Sequence, residues 1–205
     1  MSGSERRRAH GHLGFDRSVA GIDGVVVVDR APLADDRGDF GRLFCEVEFE
    51  AGARVDGPLH VRQVNLSHNV RPGTVRGLHV LLPPAVEYKV ITCVSGAIWD
   101  VAVDLRPRSA TVGRWFAHEL RGDENTSLLI PPGVAHGYQV LEPDSAVLYL
   151  HSESYRKELD AGVRADDPDI AIEWPLPVVG RSDRDLALPT LSQHLTLVAR
   201  LTGSA

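Results

Sequence analysis

Tyr88-Lys-Val-Ile-Thr-Cys-Val94 and Ala97-Ile-Trp-Asp-Val-Ala-Val-Asp-Leu105, joined through Ser95-Gly96, form the stretch on which the fold turns. In the first half Tyr88, Val90, Thr92 and Val94 share one face, and Lys89, Ile91 and Cys93 the other, the two-residue period of a strand. In the second half Trp99, Val101 and Val103 alternate with Asp100, Ala102 and Asp104. The same pattern continues outward. Toward the start lie Gln63-Val-Asn-Leu-Ser67, the β-branched run Gly24-Val-Val-Val-Val-Asp29, a turn over Asp35 to Arg42, and extended structure again over Leu43 to Val47. Toward the end, Arg106 to Ser109 turns the chain into a strand over Val112 to Leu120, followed by Ser127 to Ile130, Gly137 to Leu141 and Ala146 to Leu150. Strands at this close spacing, punctuated by Gly and Pro, predict a mainly β sandwich or barrel and not a parallel α/β sheet. Beyond Tyr155 the composition shifts. Arg156 to Pro175 reads as acidic loop, and Pro189 to Leu201 as a short C-terminal helical segment packed on the barrel through Leu191, Leu195 and Val198.

Composition bounds the rest. The chain has 205 residues, 43% hydrophobic and 24% charged, enough for one domain with a core that needs no disulfide staples. A formal charge of −6 argues against nucleic acid or an anionic membrane as partner, so an anionic substrate needs a local basic pocket. Cys45 and Cys93 form neither a metal-ligand spacing nor a disulfide framework, and read as reduced thiols of a cytoplasmic protein. No apolar run approaches transmembrane length, and Met1 to His12 lacks the apolar region of a secretory signal. The expected organisation is a disordered tail over residues 1–20 and a single domain over 21–205.

Chemistry concentrates between Gly73 and Lys89. This segment brings Arg76 and Lys89, cations suited to a phosphate and a developing oxyanion, together with His79, a titratable base. Each has a plainer reading. His79 is as readily a satisfied core histidine, and Lys89 faces either an inner pocket, where it needs a partner or a task, or solvent on an edge strand. Gly77-Leu78-His79 and Pro131-Pro-Gly-Val-Ala-His136, the latter similar to the second cupin motif Pro-x-Gly-x-x-His, suggest a cupin-type double-stranded β-helix, a jelly-roll barrel. Leu81 occupies the position of the second metal-binding His in the first cupin motif. Too few nitrogen and oxygen ligands stand in register for a metal site, and none is expected.

An ordered series of motifs resembles the dTDP-4-dehydrorhamnose 3,5-epimerase family. It comprises Asp36-Arg37-Gly38-x-Phe40, Gln63-Val-Asn65, Arg76-Gly-Leu-His79, Lys89, Gly96-x-x-x-Asp100-Val-x-Val-Asp104-Leu-Arg106, Ser109-x-Thr-x-Gly113 and Ile130-Pro-x-Gly133-x-Ala-His136-Gly. Tyr149, Tyr155 and Asp167-Pro168-x-Ile170-x-Ile-x-Trp174-Pro175 complete it. The resemblance implies a cupin-type epimerase acting on a dTDP-4-keto-6-deoxyhexose at C3, C5 or both. It implies that His79 is the base, Asp167 the carboxylate that holds it, Lys89 the cation on the enolate oxygen, and Tyr149 the proton donor on the opposite face. It further implies that Arg37, Phe40, Gln63, Asn65, Arg76, His136 and Tyr155 contact substrate, that the protein is a homodimer whose Arg37 turn crosses the interface, and that no cofactor is used.

Physical chemistry is consistent with that division. A proton beside a ketone is too weak an acid for a free imidazole at neutral pH, and a buried cation that stabilises the enolate lowers the barrier. Inversion needs donation from the face opposite abstraction, hence two groups. Outside the family register, Tyr149 reads as strand filler, Asp167 as a solvated loop carboxylate, and Arg37 and Arg76 as surface charges. Leu81 stands where many relatives carry Gln, Leu129 where many carry Trp, and Asp160 where Glu is usual; these departures fall around the sugar and base pockets. The competing readings are a 3,4-ketoisomerase on the same scaffold, a non-catalytic nucleotide-sugar-binding cupin, and a metal-dependent cupin.

Overall fold

A computed structural model describes residues 12–55, 57 and 59–203. Two antiparallel sheets face one another. The first has the order β1 (Leu13–Asp16), β2 (Val26–Arg30), β10 (Thr126–Ile130), β7 (Lys89–Ser95), β12 (Ser145–His151), β5 (Gln63–Asn69). The second runs β13 (Asp160–Gly162), β6 (Val75–Leu81), β11 (Val134–Val140), β8 (Ala97–Asp104), β9 (Trp115–Arg121). From β5 onward successive strands alternate between the sheets, except at the β8–β9 hairpin. That alternation is the winding of a cupin-type jelly roll, as expected.

Three apolar layers hold it together. Between the sheets, Ile91 and Cys93 of β7 meet Ile98 and Ala102 of β8, Leu128 and Ile130 of β10, and Val134 and Val140 of β11. Each fully buried aliphatic side chain contributes roughly 1.5–3 kcal/mol. The outer face of the second sheet, with Leu78, Val101 and Val103, lies under Val163, Ile170 and Leu191 from the C-terminal region. The outer face of the first sheet, with Val26, Val28 and Val90, lies under Phe49 and Ala53. Because both faces of the central strands are covered, the sequence there is almost continuously apolar rather than alternating.

Helix α1 (Glu46–Ala53) corrects the expectation that Leu43 to Val47 is extended. Phe49 and Ala53, four residues apart, form the buried stripe of this helix, and Glu46 and Glu48 sit favourably in its first turn. The Asp35 to Arg42 turn is the tip of a hairpin between β3 (Leu33–Asp35) and β4 (Gly38–Phe40). The C-terminal segment contains a short helix α2 (Asp183–Leu186), which sequence reading passed over, and the expected helix α3 (Leu191–Leu201). Thr190 and Gln193 close a capping box at the start of α3. Residues 1–11, most of the stretch expected as a tail, lie outside the described residues. Leu13–Asp16, also within that stretch, is instead strand β1, hydrogen-bonded to β2. Among the described residues no helix is long and apolar enough to cross a membrane.

Candidate active site

The two sheets enclose a cavity of about 350 Å³ at one end of the barrel. Strand register decides what faces it. On the first sheet, Lys89 pairs with His151 and His151 with Gln63, so these three side chains form one row across β7, β12 and β5. Tyr149 and Asn65 stand one row along, with Ile91 beside them. All five polar side chains of these rows line the cavity. The opposite wall carries His79 and Arg76 of β6 and His136 of β11. Residues 76 and 79, three apart, would ordinarily face opposite ways. The β6–β11 register shifts between them, with His136 opposite His79 but Tyr138 opposite Arg76; this bulge turns both side chains inward.

His79 Nε2 lies 2.7 Å from Asp185 Oδ1. A carboxylate only accepts, so Nε2 carries the proton and Nδ1 is left as the basic nitrogen. Burial would push the Asp185 carboxyl up, but the hydrogen bond and charge of His79 and the Gly77 amide together hold it below the ordinary carboxylate value. The Asp185 amide in turn donates to Ser182 Oγ at the start of α2. The carboxylate is thus fixed from several sides.

Asp167, expected to hold His79, does something else. Its Oδ1 accepts from the Asp169 and Ile170 amides, and its Oδ2 from the Leu191 amide at the start of α3. Both its oxygens tie the C-terminal segment together, and it does not line the cavity. The His79–Asp167 pairing is therefore replaced by His79–Asp185.

Across the cavity, the Lys89 ammonium lies 2.6 Å from Glu87 Oε2. The other oxygen of Glu87 accepts from His151 Nδ1 at 2.8 Å. Burial pushes the Glu87 carboxyl up, but the His151 hydrogen bond and the Lys89 charge outweigh it and hold Glu87 ionised. Tyr149 is half-buried; burial, with the Tyr138 hydroxyl beside it, pushes its phenol well above the ordinary value. Its ring stacks nearly parallel to that of His151, centroids 5.9 Å apart, and meets His136 edge-on at 5.8 Å. His136 Nε2 donates to Asp100 Oδ1 at 2.6 Å, a pair buried on both sides.

The remaining expected contacts divide. Arg76 Nε donates to Asn69 Oδ1, which also accepts from the Tyr138 hydroxyl. Gln63 Oε1 accepts from the Tyr155 amide, and the Tyr155 hydroxyl donates to Asp160. Arg76, Gln63 and Tyr155 line the cavity, with Asn69 and Tyr138 behind Arg76. Arg37 and Phe40 do not line it. They stand on the β3–β4 hairpin, with Arg37 paired to Asp35 and Phe40 78% exposed. Sequence reading missed Asp185, Glu87 and His151. The last two carried a signal, since Glu87 is two residues from Lys89 and His151 two from Tyr149, the spacing that puts strand side chains on one face.

A jelly-roll cavity with an imidazole–carboxylate pair on one wall, and an ammonium and a phenol on the other, defines a cupin-type isomerase site equipped to move protons at carbon. The family model for dTDP-4-dehydrorhamnose 3,5-epimerase matches residues 20–193. This chain belongs to that family. It is 38% identical over 170 residues to the dTDP-4-dehydrorhamnose 3,5-epimerase of Sinorhizobium fredii, covering 82% of this chain and 86% of the other. Among solved structures it is similar to NovW, a 4-keto-6-deoxy sugar epimerase from the novobiocin gene cluster of Streptomyces spheroides, with a TM-score of 0.83, 33% identity and coverage of 96% and 94%. It is also similar to ChmJ, a 3'-monoepimerase from Streptomyces bikiniensis in complex with dTDP-quinovose, with a TM-score of 0.77, 31% identity and coverage of 90% and 89%.

Proposed function

We propose that this chain epimerises a dTDP-4-keto-6-deoxyhexose at C3, C5 or both, by enolisation beside the 4-keto group. The observation that carries this is the facing of His79–Asp185 on one wall by Lys89 and Tyr149 on the other. His79 Nδ1 takes the proton from the carbon next to the ketone. Lys89 stabilises the oxygen as it becomes an enolate, and in a pocket that excludes water such a charge contributes far more than in bulk solvent. Tyr149 returns a proton from the opposite face, which inverts the carbon. The reaction so written uses no metal and no redox cofactor, since Lys89 supplies the positive charge. Arg76, His136, Gln63, Asn65 and Tyr155 bind the substrate around the reacting ring.

The protein acts as a homodimer in this reading. Among the described residues strand β5 is one of the two edges of the first sheet, and it exposes Val64 and Leu66, 55% and 53% accessible. An apolar free edge is a pairing surface that soluble proteins ordinarily cover. The β3–β4 hairpin, with Arg37 and Phe40, reaches the partner's cavity across it. Cys45 and Cys93, both free, agree with a cytoplasmic setting.

Deuterium incorporation tests the activity. In D2O with dTDP-4-keto-6-deoxyglucose, label with inverted configuration at C3 and C5 establishes a 3,5-epimerase, and label with inversion at C3 alone the narrower reaction for which ChmJ is named. His79→Ala abolishes exchange, whereas Lys89→Ala binds substrate and loses turnover. Wild-type protein that introduces no label at either carbon overturns the assignment.

A further inference from the structure

The cavity holds a second imidazole–carboxylate pair that the mechanism above leaves unused. We propose that His151, with Glu87 behind it, is a further proton donor of this site, delivering to a carbon beside the ketone from the wall opposite His79. This rests on the epimerase reading and deepens it.

The geometry repeats that of His79–Asp185 on the other sheet. His151 Nδ1 donates to Glu87 Oε1 at 2.8 Å, against 2.7 Å for His79 and Asp185. Glu87 is ionised and accepts only, so Nδ1 is committed to it and Nε2 is the nitrogen left for chemistry. Nε2 lies 3.3 Å from the side-chain amide nitrogen of Asn65, one row along the same wall. Neutral His151 accepts from that amide. Protonated His151 donates through Nε2, and a rotated Asn65 amide then offers its oxygen, so both states of the ring keep a partner.

The position fits the task. His151 stands in the same row as Lys89, which holds the enolate oxygen, and stacks on Tyr149. Inverting two carbons on either side of one ketone requires two deliveries from that wall. Tyr149 supplies one of them, and the Nε2 face of His151, stacked on the Tyr149 ring, supplies the other. The step balances. The Nε2–H bond breaks as the enolate double bond forms the new C–H bond and the ketone is restored. The neutral ring left behind reloads from solvent, and Glu87 stays compensated throughout by Lys89.

His151→Asn separates donation from support, because the asparagine amide nitrogen takes the place of Nδ1 and keeps the bond to Glu87 while Nε2 is removed. Substrate in D2O is followed by NMR for label and for configuration at C3 and C5. We expect the variant to admit deuterium through His79 at near the wild-type rate, while formation of inverted product at one carbon falls about 100-fold or more. A variant that inverts every carbon wild type inverts, at the wild-type rate, overturns the donor role and leaves His151 as a prop for Glu87. Loss of label together with loss of inversion also overturns it, since the damage then lies in Lys89. Wild type without any label removes the epimerase reading itself, and the proposal with it.

Discussion

The carboxylate behind His79 shows how far a single residue's role can be assigned before its surroundings are known. Asp167 and Asp185 are both buried, both acidic and both in the C-terminal segment. Only their partners separate them: an imidazole for Asp185, three backbone amides for Asp167. Asp185→Asn removes the charge that stabilises the imidazolium and lets the amide oppose the required tautomer; turnover falls about 100-fold or more, with a small change in melting temperature. Asp167→Asn does the reverse. It weakens the cap at the start of α3, costs about 1–3 kcal/mol of stability and leaves turnover within a few-fold. Measuring kcat and Tm for both variants checks this, and equal loss of turnover in the two would refute the division. Lys89 was legible from strand alternation and motif order together, whereas His79 and Tyr149 were singled out by residue type and motif order, with no help from alternation. Asp185 was not. It lies 106 residues from His79, on a helix too short to show periodicity, and Ser182 three residues ahead signals only a helix start.

At the scale of the element, the bulge in β6 decides whether the cavity exists. Alternation alone would send Arg76 and His79 to opposite faces, and nothing in Gly73 to Lys89 announces a break in period except Gly77. Its φ of +107° is one that side chains rarely adopt, and a Cβ there would lie 2.7 Å from the His136 carbonyl oxygen and 2.8 Å from Gly137 Cα. Gly77→Ala must therefore push β6 away from β11 or flatten the bulge. We expect a loss of about 3 kcal/mol in urea unfolding, with turnover lost even where the variant folds, because Arg76 and His79 no longer share a wall. A variant with wild-type stability and rate would show the bulge to be dispensable. The strands themselves were legible from β-branched runs and from Gly and Pro at their ends. Helix α1 was not: only Phe49 and Ala53 are buried along its eight residues, so its stripe is too narrow to outweigh the extended pattern of Leu43-Phe-Cys45 just before it.

At the scale of the whole molecule, one chain carries a nearly complete site and an arm that does not touch it. Arg37, with its side chain 85% exposed, and Phe40 project on a two-stranded hairpin, an arrangement in which an isolated chain leaves an arginine and an aromatic ring with little to bind. In the proposed symmetric dimer through the β5 edge both would gain a partner, and two-fold symmetry would make the exchange reciprocal. The consequence can be measured. If each cavity takes Arg37 from the other subunit, Arg37→Ala and His79→Ala damage different copies of the site. In a dimer of one of each, one cavity carries both lesions and the other carries neither. Co-expressed in equal amounts, the two inactive variants should recover about a quarter of wild-type turnover, since half the dimers are mixed and each has one intact site. Leu66→Asp on the β5 edge should yield monomers by light scattering and abolish that recovery. No recovery from a mixture shown by mass spectrometry to contain mixed dimers would mean that the hairpin serves its own cavity or none.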